Sequence, residues 1–82
     1  MTAIAWQPHP DSPDAWSAYG PWGQCVAVVA PQPDAEGYWQ GVIRPRPDQL
    51  YAGARIDHCP SRGLAMGVIG RELSKHWPEV AA

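Results

Sequence analysis

Five tryptophans and no phenylalanine are spread through this chain, at Trp6, Trp16, Trp22, Trp39 and Trp77. A chain of 82 residues sits near the lower limit for a domain that folds alone. Each large ring can bury ~150–250 Å², so a few well-placed tryptophans supply much of the core such a chain needs. The sequence is therefore read as one domain over residues 1–82, built around large rings. Only 17% of residues are charged, and a thinly charged surface is cheap to desolvate. That allows a protein partner or a second copy of the chain, and it equally fits a small soluble domain with neither.

Net charge is −2, which counts against non-specific nucleic-acid binding, because that needs a basic stripe. No apolar run reaches the ~20 residues that span a bilayer. Met1–Pro8 has neither a basic stretch nor a long apolar one, so no signal peptide is expected and the expected location is the cytoplasm. Cys25 and Cys59 make no disulfide framework and are expected to stay reduced.

Residues 1–23 read as an irregular Pro/Trp-rich segment that wraps the core. Pro8, Pro10, Pro13 and Pro21 interrupt helix and central strand alike. A short edge strand is expected over Ala3–Gln7 and another short extended piece over Ala15–Tyr19. Residues 24–57 read as antiparallel strands over Gln24–Ala30, Tyr38–Arg44 and Leu50–Asp57, separated by turn-forming Pro, Asp and Gly. Strict alternation puts Leu50, Ala52, Ala54 and Ile56 on one face and Tyr51, Gly53, Arg55 and Asp57 on the other. In the middle strand Trp39, Gly41 and Ile43 oppose Tyr38, Gln40, Val42 and Arg44.

Residues 60–77 read as a helix, with Cys59 as a mediocre cap, Pro60 at its first position and Pro78 ending it. At 100° per residue Ala65, Met66, Ile69, Leu73 and Trp77 share the core-facing side. Gly63, Gly67 and Gly70 fall together on another side, at a cost of about 1 kcal/mol each relative to alanine. Close approach of the N-terminal segment or sheet would explain them, as would a second copy or a partner. The third possibility is that they have no role.

The fold class expected is α+β: a small antiparallel sheet of three to four strands with one C-terminal helix packed on it. Chemistry is sparsely signalled. Cys59 follows His58 at a helix start, but sequence neighbours seldom point at one another, so a structural thiol is the expectation. There is no CxxC or HxxxH for zinc, no P-loop and no dinucleotide fingerprint. Glu72 and His76, one turn apart, read as a surface pair. No catalytic residue, metal or cofactor is assigned. Tyr38, Gln40, Arg44, Tyr51 and Arg55 gather on one sheet face, the residue types enriched in protein contacts. Trp16 and Trp22 are the rings expected to stay partly exposed beside them. The same face also resembles a platform for single-stranded nucleic acid, and the N-terminal segment covering it is the third alternative.

With a tryptophan-containing N-terminus, two or three strands with a central Trp at Tyr38-Trp39, and Leu50–Asp57 running into Ser61–Trp77, the chain resembles small proteins carried by bacteriophages and prophages, among them the anti-CRISPR proteins. The resemblance is one of architecture and composition and gives no residue a role. It implies a small non-enzymatic inhibitor, acting in the bacterial cytoplasm, that occludes a CRISPR-Cas or other defence complex.

Overall fold

The computed structural model describes residues 4–81. It is an α+β protein with one five-stranded antiparallel sheet and one long helix. The strands are β1 (Gln7–His9), β2 (Ser12–Tyr19), β3 (Cys25–Pro31), β4 (Trp39–Ile43) and β5 (Ala54–Cys59), followed by α1 (Arg62–His76). Spatial order follows chain order, so each strand pairs with its sequence neighbours.

The helix is where its periodicity puts it. Ala65, Ile69 and Leu73 recur every fourth residue and are fully buried, and Trp77 follows at the C-cap. They meet Ala18 of β2, Ala27 and Val29 of β3 and Ile43 of β4. Truncating Leu73 or Ile69 to alanine would cost about 2–5 kcal/mol, a large part of what a small domain has. Gly41 makes the contact close: a Cβ there would stand 2.5 Å from Ile69 Cγ1. The start of the helix differs from the expectation. Ser61, not Cys59, is the cap, because its short hydroxyl accepts a hydrogen bond from Leu64 N at 3.1 Å. Cys59 is still in β5, paired with Trp39.

The sheet has more strands than expected because residues 1–23 are not simply irregular. β1 and β2 form a hairpin there, turning tightly between His9 and Ser12. The prolines fit for local reasons. Pro8 lies in the edge strand, and Pro13 lies in the stretch the ladder skips between Ser12 and Trp16. Of the edge strand expected over Ala3–Gln7, Ala3 lies outside the described residues, residues 4–6 are not in a strand, and pairing starts at Gln7.

β5 is also shorter than Leu50–Asp57. Leu50 and Gly53 have φ of 55° and 88°, left-handed values that end strand alternation. A Cβ on Gly53 would be 2.7 Å from Ile43 O as well, so only glycine fits that corner. Leu50 ends up 96% exposed rather than on the core face. The glycine side of α1 divides. Gly70 faces Ile4 Cδ1, 3.3 Å from where a Cβ would be, whereas Gly63 and Gly67 have nothing within 4 Å. The N-terminal segment thus explains Gly70 alone.

Candidate interaction face

The helix covers one side of the sheet. Pairing of Val29 with Gly41 and of Gly41 with Ile56 puts these residues on the α1 side, together with Trp39 and Cys59. Their neighbours Val28, Ala30, Gln40, Val42, Arg55 and Asp57 therefore point the other way. Tyr38 continues that side before β4, where its carbonyl accepts from Gln32 N. Tyr38 and Val42 are large hydrophobic side chains left exposed. Arg55 Nε lies 3.2 Å from Asp57 Oδ1.

One corner of this side is held by a buried glutamine. Between Trp39 and Gly41 the β4–β5 ladder shifts register, and His58 in the extra length of β5 takes φ of 58°. A non-glycine residue in this region is uncommon and needs support. Gln32 supplies it. Its Oε1 accepts from His58 N at 2.6 Å, and its Nε2 lies 3.3 Å from His58 Nε2. The same amide donates to Asp34 Oδ1 at 3.0 Å, which lowers the Asp34 pKa. The Tyr38 and His58 rings meet edge to face, 5.7 Å apart. The bulge thus fixes Tyr38, His58 and Asp57 at one end of the side away from α1.

Of the residues singled out in the sequence, the fold places Tyr38, Gln40 and Arg55 on this side. Arg44 is one step beyond β4, exposed, with its N–H bonded to Val26 O at the other end of the ladder. Tyr51 is elsewhere. It packs against the core, its ring stacks on His76 at 3.8 Å, and its hydroxyl is buried without a hydrogen-bond partner. Burial is the main reason its pKa is raised. The breaks at Leu50 and Gly53 carried it out of the alternation that grouped it with Arg55. Trp16 lies on the helix side, where the Arg62 guanidinium is 5.2 Å from its ring centre. Trp22 is 79% exposed in the β2–β3 turn, a strand length from Tyr38.

The sequence reading missed Arg46. Its side chain is buried, stacked 4.5 Å from the centre of the Trp77 ring. Nη1 donates to His76 O at 3.1 Å and to Glu79 Oε1 at 2.7 Å, while Nη2 donates to Glu79 Oε2. This two-point pairing holds the Glu79 carboxyl down to about 2. Trp77 Nε1 donates to Arg44 O at 3.3 Å. Together these contacts clasp the β4–β5 connection to the end of α1. The partners are 33 residues apart in sequence, and only the Pro-Arg-Pro setting of Arg46, which stiffens its backbone, hinted at a fixed role.

Cys59 and His58 are not brought together as a nucleophile and base. Cys59 is on the helix side, and the His58 ring is turned to Gln32 and Tyr38. Glu72 and His76 do pair on the helix surface, 3.5 Å apart. Among the described residues, no group of three or more His, Cys, Asp or Glu could hold a metal ion, and no helix is long and apolar enough to cross a membrane. Comparison with known protein families, curated proteins and solved structures returned no match.

Proposed function

We propose that this chain is a non-enzymatic protein-binding module whose contact surface is the sheet side away from α1. The observation that carries this reading is the exposure of Tyr38 and Val42 beside Arg55 on a sheet side that, among the described residues, has no helix over it. Aromatic and arginine side chains around an apolar patch are the usual anchors of a protein contact. The rigid bulge at His58 supports it further, because an anchor ring held in place loses little freedom on binding. The pairing of Arg55 with Asp57 favours protein over nucleic acid, since it offsets the one basic group in the middle of the patch.

The partner proposed is a bacterial defence complex, with the chain acting in the cytoplasm as a phage-type inhibitor that blocks the complex by occlusion. Expression in cells with active CRISPR-Cas interference tests this. Interference should fall, and Val42→Asp with Tyr38→Ala should restore it while the protein stays folded by circular dichroism. Unchanged interference, with no defence component co-purifying, would sink the inhibitor reading. Loss of interference that the two substitutions leave untouched would move the contact to another surface.

A further inference from the structure

The two edges of the sheet are unlike each other. β1 is three residues long and carries Pro8, which has no N–H to offer, with Pro10 just beyond it. β5 is six residues long, contains no proline, and has β4 on one side and no strand on the other among the described residues. An edge of that kind is a template for another strand. Its central sequence, Arg55-Ile56-Asp57, is complementary to itself when run backwards.

We propose that β5 pairs antiparallel with β5 of a second copy, about a two-fold axis through Ile56. In this register Ile56 faces Ile56 of the second copy, and Arg55 of each chain faces Asp57 of the other. Centring the pair on Arg55 or on Asp57 would oppose like charges, which is unfavourable in a cross-strand pair. Arg55 and Asp57 are accessible for this, with side-chain exposures of 65% and 38%. They already lie on one side of the strand, so pairing joins two Arg–Asp couples into a ring of four charges. The axis stands perpendicular to the sheet, so both helices stay on one side of it. α1 lies mainly over β3 and β4 and also touches β5. With strands ~4.8 Å apart, the two helix axes come out roughly 20 Å from each other, wider than the about 10–12 Å diameter of a helix. The sides away from α1 merge into one surface across ten strands, twice the five of a single chain. The left-handed turn at His58 ends regular pairing, so the contact is short and the association weak and concentration-dependent.

Sedimentation equilibrium of the full chain over a range of concentrations tests the proposal. The average mass should rise from 8.9 kDa towards twice that value. Arg55→Asp opposes two acids across the axis and Asp57→Arg opposes two bases, so each should weaken self-association by about tenfold or more. Mixing the two variants should restore the heavier species, because one chain then brings two acids and the other two bases. The double variant R55D/D57R keeps the couple within each chain and should associate like the parent. A parent chain that stays at the monomer mass overturns the proposal. So do single variants that associate as well as the parent, or a mixture no heavier than its components.

Discussion

Arg46, Tyr51, His76 and Glu79 at the C-terminal end of α1 match, type for type, Arg55, Tyr38, His58 and Asp57 at its N-terminal end. The first set is clasped. Arg46 is buried against Trp77 and bonded to Glu79, and Tyr51 is stacked on His76. The second set is displayed. Tyr38, Arg55, Asp57 and His58 are exposed on the sheet side away from α1, with the buried amide of Gln32 beneath them. The same chemistry holds the chain together at one end and is left for a neighbour at the other. What separates the two is which side of the sheet the residue lies on and whether α1 or Trp77 covers it. Residue type does not tell them apart.

Breaking the clasp should have the largest effect. Trp77→Ala removes a buried ring, the shelf under Arg46 and the donor to Arg44 O, at a cost of about 3–5 kcal/mol. Trp22→Ala, at a ring 79% exposed, should shift stability by less than about 0.5 kcal/mol. Urea unfolding of both variants measures the gap, and similar midpoints would refute the division into clasped and displayed rings. Next comes the displayed end. Gln32→Leu keeps the shape but leaves His58 N and Asp34 without their partner, so a cost of about 1–3 kcal/mol is expected. Its signature should be local: faster amide exchange at His58 with exchange in α1 little changed. Uniformly faster exchange would mean that the bulge is not a separate unit.

Acid should act more gently, and on both ends. The Glu79 carboxyl is held at about 2 against an ordinary 4.5. Between those values the unfolded chain takes up a proton that the folded chain refuses. The stabilisation is therefore complete above roughly pH 4.5 and is lost as pH falls towards 2. Asp34 is shifted in the same direction by the Gln32 amide. Glu79→Gln should flatten the acid limb of a stability–pH curve without abolishing it. An unchanged slope would show that the Arg46–Glu79 pair is not coupled to folding.

The parts legible in the sequence are those with a period. The four-residue spacing of Ala65, Ile69 and Leu73 gave the buried side of α1, and the two-residue alternation of Trp39, Gly41 and Ile43 gave the two sides of β4. The parts that were not legible are where the period breaks. Leu50 and Gly53 turn the backbone left-handed, and Tyr51 left the face that counting had given it. Pro8 and Pro13 look like breakers, yet an edge and a skipped stretch of ladder need no N–H from them, so the β1–β2 hairpin was hidden. The clasp was hidden for a different reason. Its members come from the middle and the C-terminal part of the chain, and no local pattern links Arg46 to Glu79.

The order of the strands has a consequence in time. Each strand meets the one made just before it, so the sheet can assemble from hairpins whose loops are cheap to close. The long closures are those that bring α1 and its last turn back to β3, β4 and Arg46. Residues of the clasp then lock a sheet that is already formed, and weakening them should show mainly as a shorter lifetime of the native state rather than as slower arrival at it.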